Sequence, residues 1–570
     1  MTLFFGLMNI KKNSLPNNLL DETKKIFLEN IGLDRLVESK QDFFYCLGFD
    51  SGAFKCAAVI DDKNNSSFSL LTGEPLISGK SRYVDLSIMH DEFISGNSKS
   101  YKLARGVYSG VFFNPEHGDL FLITDKLGVR PVYLYSKNDL LVFSSTLNLM
   151  TQLSFIDLTI DKLGLCENIA FGYPLDDRTP YKFIKRLRSA EEILISDTDI
   201  KSCIYWDWSS FIDKSNSSKL TDLTESTFKA FEEAVAIRIQ DETNAIAFLS
   251  GGMDSRCVTA SVKQHVNNLY TFNFSIIGSQ DAFFAAQYSK HLRSKHFEYF
   301  KEFQAYPNWS QLIYDAWCGV KDSIINQPMY PQKIWSGDGG SVGLGYVYMN
   351  DNMLDLSNQG LMNEAANEFL NFNRIGLPTR YLDKDFWGGI DIKSSVAKSV
   401  VELAGNFSSH SLYFFLMFND QRRHLFDHFE TIVSHKIELI LPYLDSVFIS
   451  KIAAIPVSEM PYHKFYSKWF ENFPLFTRQT PWQTYPGHVK CPLEFTEDSL
   501  YQWNLKKYPR YIQNQEINSC LKIILSSAEI KKYLNLPMTL SALMAHRFGM
   551  FDSNQLLVTI NKINRYVKKN

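Results

Sequence analysis

The stretch Ala245-Ile246-Ala247-Phe248-Leu249-Ser250-Gly251-Gly252-Met253-Asp254-Ser255 constrains this chain more than any other. Five apolar residues read as a buried strand, and the pattern after the glycines reads as a helix over residues 253–266. A strand that ends in two glycines and opens a helix is built to cradle an anion. The glycines let backbone N–H groups approach it, and the helix N-terminus adds partial positive charge. Ser250 and Ser255 supply hydroxyl donors, and Asp254 is a hard oxygen ligand suited to Mg²⁺. Arg256 is placed either to reach a phosphate or to stay solvated. The glycine spacing is not that of a Walker A loop, no Gly-Lys-Ser/Thr follows, and the segment is not a Rossmann fingerprint.

The surroundings of this loop predict its fold. A long helical pattern over 223–238 precedes the strand; a second strand over 269–277 and a helix over 282–292 follow. Such alternation predicts a parallel α/β sheet. The first 200 residues differ. Short apolar and aromatic runs at 43–49, 57–60, 68–71, 110–113, 120–124, 132–135 and 141–144 are separated by breaks such as Asp61-Asp62-Lys63-Asn64-Asn65, which predicts strands. A helix over 161–172 leads toward the second half. The polar stretch 206–218 is the expected linker, and from about residue 355 the chain reads mainly helical.

Composition narrows the partners. With 45% hydrophobic and 21% charged residues in 570, a substantial core is expected. The net charge of -3 gives no basic footprint for nucleic acid, and the basic run 562–568 reads as a solvated tail. Eight cysteines are scattered with no CxxC pair and no zinc spacing, which suits a reducing compartment. The apolar run 1–7 is too short for a signal peptide, and no stretch reaches the length of a membrane span. The expectation is a cytoplasmic protein with no nucleic-acid or membrane partner; a homo-oligomer stays open.

These residues resemble the PP-loop of the asparagine synthetase family, and the resemblance extends over most of the chain. In that family a glutamine amidotransferase domain precedes an ATP-pyrophosphatase-type synthetase domain. The N-terminal likeness is in the scaffold: Asp125-Lys126-Leu127-Gly128-Val129-Arg130-Pro131-Val132-Tyr133 with its neighbours 106–112 and 142–145. The implied fold is α/β: an α+β αββα sandwich of the Ntn type over 1–205, then a parallel α/β PP-loop domain with helical additions over 206–570. Implied nucleotide contacts are Phe248, Leu249, Ser250, Gly251, Gly252, Asp254, Ser255, Phe274 (on the adenine side), Ser336 and Gly337 of a second loop Ser336-Gly337-Asp338-Gly339-Gly340, and Lys468. Asp254 would hold Mg²⁺; Lys464 and Asp338 would be catalytic. Glu438 with Pro442-Tyr443-Leu444-Asp445 resembles the family's Glu-x-Arg-x-Pro-Phe-Leu-Asp. Lys464 and Lys468 resemble its Lys-x-x-x-Arg pair, and Arg478 a late phosphate-side basic residue. The implied reaction has a carboxylate attack the α-phosphate of Mg-ATP, after which an amine opens the acyl-adenylate to an amide. A small-molecule or peptide carboxylate and an amine are the implied partners, and catalysis is mainly electrostatic.

Five departures bear on that reading. The family's nucleophilic cysteine at position 2 is Thr2, a hydroxyl that needs strong activation. The aspartate expected before Gly106 is missing from Leu103-Ala104-Arg105, and the Asn-Gly-Glu signature is reduced to Thr72-Gly73-Glu74. Ser341 stands where the second loop carries a metal-binding acid, and Ile440 where an arginine precedes Pro-Phe-Leu-Asp. The expectation is a structural N-terminal domain and an amide ligase fed by ammonia or a substrate-borne amine. Glutamine-dependent asparagine formation and a nucleotide-binding scaffold without catalysis are the alternatives. Tyr346 and Tyr348 are candidate acid/base groups set against ordinary packing; His435 and His463 are expected to be satisfied or exposed rather than catalytic.

Overall fold

The computed structural model describes residues 2–31, 36–97, 99–196, 199–212, 219–301, 309–324, 332–431, 437–495 and 510–567. The strands of the first half are β1 (Thr2–Asn9), β2 (Leu36–Lys40), β3 (Phe44–Asp50), β4 (Val59–Asp61), β5 (Phe68–Gly73), β6 (Tyr108–Asn114), β7 (Asp119–Thr124), β8 (Tyr133–Lys137), β9 (Leu140–Ser144), β10 (Ile184–Arg186), β11 (Glu191–Ile195) and β12 (Ile200–Ile204). They form two six-stranded antiparallel sheets, ordered β10-β8-β9-β1-β3-β2 and β12-β11-β7-β6-β5-β4. The sheets meet face to face through Phe4, Met8, Phe44, Phe68, Val111, Phe113 and Phe143. The rings of Phe44 and Phe113 stack across the gap with centroids 3.8 Å apart.

The outer faces carry helices. Helix Asn17–Ile31 lays Leu20, Ile26 and Phe27 on Leu3, Phe5 and Leu47; helix Arg82–Ile94 lays Leu86 and Met89 on Leu71, Tyr108 and Phe112. The result is the expected αββα sandwich. β1 is buried on both faces, which is why its sequence is a continuous apolar run rather than an alternation. Neither flanking helix was foreseen from the strand-rich reading of this half.

The second half is built on β13 (Asn244–Phe248), β14 (Asn268–Ser275), β15 (Lys295–Phe300), β16 (Gln332–Trp335) and β17 (Ile437–Ile440). All pairings are parallel, in the order β15-β14-β13-β16-β17. The chain grows to one side of β13 and then to the other, so the strand order reverses between β13 and β16. The carboxyl ends of the strands at such a reversal leave a crevice where ligands bind in open α/β sheets. From Asp351 on the described chain is almost wholly helical, apart from β17.

The expected linker is only partly a linker. Trp208 is 1% exposed and its Nε1 donates to the Lys126 carbonyl at 3.3 Å, while Lys126 Nζ sits 3.4 Å from the ring centre of Trp206. Residues 213–218 lie outside the described residues.

The two halves are joined by buried charge. Arg130 pairs with Glu438, and Arg105 donates to Asp445 at 3.2 Å through Nε and Nη2. Arg238 also donates to Asp445 at 2.8 Å, and Asp445 caps the helix Ser446–Ala453. Glu430 accepts from Thr146 Oγ1 and from the amides of Leu147 and Asn148 at 2.9–3.1 Å. Burial lowers Lys126 to about 7, next to Ser446 at 3.4 Å.

Candidate active site

The loop after β13 and the loop after β16 lie against each other at the crevice. Contact that close needs glycine. A Cβ on Gly337 would come within 2.6 Å of the Ser255 amide nitrogen, and one on Gly340 within 2.6 Å of Asp254 Cγ. Inside the first loop short polar side chains hold the turn. Ser255 Oγ accepts from the Ser250 amide at 2.9 Å, Asp281 accepts from the Gly251 amide at 2.9 Å, and Ser250 Oγ from the Gly252 amide at 3.3 Å. Helix Asp254–His265 starts at the loop, so its N-terminus faces the crevice.

Asp254 is the centre of the site. One carboxylate oxygen accepts from the Ser341 amide at 3.0 Å and hydroxyl at 2.7 Å; the other accepts from Tyr466 at 2.6 Å. Tyr443 bonds both the Asp254 carbonyl (3.3 Å) and Tyr466 (3.2 Å). Burial pushes the Asp254 pKa up, against these hydrogen bonds, and the charge of Asp338 adds to the rise. Asp281 is raised to about 6 by burial.

A cavity of about 310 Å³ opens over the two loops. Its walls include Phe248 and Phe274, stacked with centroids 5.0 Å apart, on the side of β13 and β14. Ser250, Asp254, Ser255, Ser336, Gly337, Asp338 and Ser341 also line it. The lining holds Asp254, Asp281 and Asp338 and no Lys or Arg among the described residues. Asp254 and Asp338 fit a Mg²⁺ ion that completes its shell with phosphate oxygens and water, the usual mode for this ion. They do not make a protein cage: among the described residues no group of three or more His, Cys, Asp or Glu is placed to hold a metal.

An asparagine synthase domain matches residues 228–325, and a glutamine amidotransferase domain matches residues 87–206. Each half of the chain is thus similar to part of the asparagine synthetase family. Among its relatives, asparagine synthetase (glutamine-hydrolyzing) 3 of Bacillus subtilis is 24% identical over 188 residues, 32% of this chain and 30% of the relative. Putative asparagine synthetase (glutamine-hydrolyzing) 2 of Methanocaldococcus jannaschii is 27% identical over 185 residues, 31% of this chain and 35% of the relative. The chain thus spans about a third of the length of these relatives. The solved allosteric regulatory enzyme of purine biosynthesis overlaps 54% of this chain and 82% of its own at 11% identity, with a TM-score of 0.25, too slight a likeness to bear on the fold.

Within the family frame, several residues stand where the motif reading did not put them. Lys464 and Lys468 are exposed and outside the cavity lining, with Lys464 Nζ 5.6 Å from the Tyr462 ring centre. Their helix, Lys464–Phe470, turns Tyr466 rather than a lysine toward Asp254. Arg256 neither reaches the cavity nor meets solvent. It is fully buried, donates to the carbonyls of Thr477, Thr480 and Pro481 at 2.5–3.1 Å, and lies over Tyr288. Arg478 donates to the Glu471 carbonyl at 3.3 Å. Glu438 and Asp445 serve the joint between the halves, and Ile440 supplies the carbonyl that accepts the Ser336 amide at 3.0 Å.

Tyr346 is fully buried against Tyr413, at 5.3 Å between ring centres, whereas Tyr348 lines the cavity. His463 is buried and bonded to His488, and burial lowers it to about 3. His435 lies outside the described residues. Tyr466 and Tyr485 are the site residues that motif reading missed, while Tyr443 was named only as part of Pro442-Tyr443-Leu444-Asp445; the aromatic periodicity of 462–470 looks like ordinary core and carries no separate signal for Tyr466.

The N-terminal position is buried. Thr2 begins β1 opposite Asp50 and is 1% exposed. Arg82, also 1% exposed, donates to Thr2 Oγ1 at 2.9 Å, to Asp50 at 2.5 Å and to the Cys56 carbonyl at 2.9 Å, with its guanidinium 4.4 Å from the Phe54 ring centre. Thr2 Oγ1 is therefore occupied as an acceptor by the Arg82 guanidinium. Glu74 is buried and accepts from Gln240 at 3.0 Å. Arg105, in the segment where the aspartate is missing, is the residue that reaches across to Asp445.

Proposed function

We propose that this chain is an ATP-dependent amide ligase that forms AMP and pyrophosphate, adenylating a carboxylate for attack by ammonia or a substrate-borne amine without hydrolysing glutamine. One observation carries the ligase half: the two glycine loops close on Asp254 at the strand reversal and leave a cavity lined by Ser250, Ser255, Ser336 and Asp338. In this reading Phe248 and Phe274 flank the adenine, and the loop hydroxyls with the amides of the helix N-terminus meet the phosphates. Asp254 and Asp338 would hold Mg²⁺, and the bound ion would neutralise charge on the phosphate oxygens as the α-phosphorus is attacked. Ser341 and Tyr466 orient the Asp254 carboxylate. The reaction is cytoplasmic in this proposal; no helix among the described residues is long and apolar enough to cross a membrane.

The glutamine half rests on Thr2. A threonine hydroxyl needs a base to take its proton, and the residue bonded to Thr2 Oγ1 among the described residues is Arg82, a donor that cannot act as one. A second reading, nucleotide binding without turnover, is favoured by one observation: both oxygens of Asp254 are already engaged by Ser341 and Tyr466. Purified protein with Mg-ATP and a panel of carboxylates and primary amines separates them. Pyrophosphate release that requires both acid and amine supports the ligase; ATP binding with no release on any pair supports the scaffold.

A further inference from the structure

A second chamber adjoins the nucleotide cavity on the other side of the glycine loop. It has a volume of about 350 Å³ and shares Ser250, Asp254, Ser341 and Tyr485 with the first. Its remaining walls are Gly252, Met253, His463, Gln483, Thr484, Pro486 and Val489. The chamber is built by unusual backbone. Tyr462 and His463 both take left-handed conformations, with φ of 59° and 64°, although neither is glycine. Non-glycine residues held there persist only where the surroundings impose them.

Those surroundings are specific. The turn Tyr485-Pro486-Gly487-His488 closes with the His488 amide on the Tyr485 carbonyl at 3.1 Å; Gly487 has φ of 80°. The Gln483 amide donates to the Gly251 carbonyl at 3.1 Å and the Val489 amide to the Tyr462 carbonyl at 3.0 Å. His463 bonds His488 through both Nδ1 atoms at 2.5 Å and lies between the rings of Tyr466 and Tyr485, at 5.4 and 5.7 Å. Arg256 anchors the segment that leads into this turn.

We propose that this chamber seats an organic primary amine, the acyl acceptor, carried on a substrate rather than delivered as free ammonia. The proposal rests on the ligase reading above and names the acceptor for it. Volume decides against ammonia: a water-sized guest takes about 30 Å³, whereas organic ligands fill pockets of about 300–1,000 Å³. Charge decides against an anion such as pyrophosphate. No Lys or Arg lines the chamber among the described residues, and the carboxylate of Asp254 stands at its boundary. Met253, Pro486, Val489 and the Tyr485 ring give the chain of the amine an apolar surface, and Gln483, Thr484 and the imidazole of His463 give its nitrogen polar partners. In the transfer, the amine lone pair forms the C–N bond, the acyl–oxygen bond breaks with its electrons leaving on AMP, and the amine proton passes to solvent.

Saturation-transfer NMR on the whole chain tests the site without knowledge of the acid. The probes are n-butylamine and butanoate at equal concentration, with ammonium chloride and sodium pyrophosphate as competitors. The wild type is expected to give a signal for butylamine over butanoate that neither competitor removes. Val489→Trp, at an exposed position, fills the chamber and should lose the signal; Thr484→Arg should reverse the preference toward butanoate. Butanoate equal to or above butylamine on the wild type, displacement by pyrophosphate, or a full signal in Val489→Trp overturns the proposal. Mg-ATP affinity measured on the same samples reports on the nucleotide cavity, so failure of the ligase reading shows separately.

Discussion

Two buried polar centres, one in each half of the molecule, have come to opposite ends. Around Thr2 every polar group is consumed by its neighbours: Arg82 bonds Thr2, Asp50 and the Cys56 carbonyl at once and packs on Phe54. Around Asp254 glycines hold two loops in contact, but a cavity remains on each side of the carboxylate. The difference is one of packing: a buried cation fills the first centre with its own hydrogen bonds, whereas glycines leave open space at the second. It also shows where the first half is still needed. Its charges go to the joint, where Arg105 and Arg130 meet Asp445 and Glu438.

The largest effect should come from opening the closed centre. Arg82→Met leaves Asp50 buried without its partner and should cost about 3–5 kcal/mol in urea unfolding; a change under 1 kcal/mol would mean the centre is not sealed as described. In the proposed ligase Asp254→Asn should lower amide formation about 10³-fold, read as pyrophosphate release. Gly340→Ala places a methyl 2.6 Å from Asp254 Cγ and should weaken Mg-ATP binding and cost about 1–3 kcal/mol.

Acid stability offers a finer comparison. The folded pKa of His463 lies near 3, below the ordinary value of 6.5, so the unfolded chain binds the extra proton first. Stability from this group is therefore present above pH 6.5 and is lost as pH falls toward 3. His463→Asn should flatten the fall in Tm between pH 7 and pH 4.5; an unchanged slope would remove His463 from the account. The smallest effect is expected from Thr2→Cys. With Arg82 and Asp50 in place it should yield no glutamate from glutamine, and measurable glutaminase activity would break the contrast between the two centres.

Much of this was legible in the sequence because it depends on local rules. Ser250–Ser255 after an apolar strand is a loop that few other folds can use, and the described strand and helix fall within two residues of expectation. What was not legible depends on direction rather than identity. Lys464 and Lys468 share one face of a single short helix, and which face meets the crevice is set by the packing of Phe465, Tyr466 and Trp469, not by the motif. Arg256 follows the loop directly, yet helix geometry turns it away from the phosphates and into the 477–481 carbonyls. Arg105 and Glu438 find their partners across hundreds of residues, which no local pattern records.

Oxygen transfer tests the central claim most directly. With a carboxylate substrate labelled with ¹⁸O, Mg-ATP and a primary amine, adenylation requires that the AMP released carry one labelled oxygen from the acid. The account predicts that label in AMP, with pyrophosphate unlabelled and glutamine without effect. Label in inorganic phosphate, or AMP formation that depends on glutamine, would contradict it.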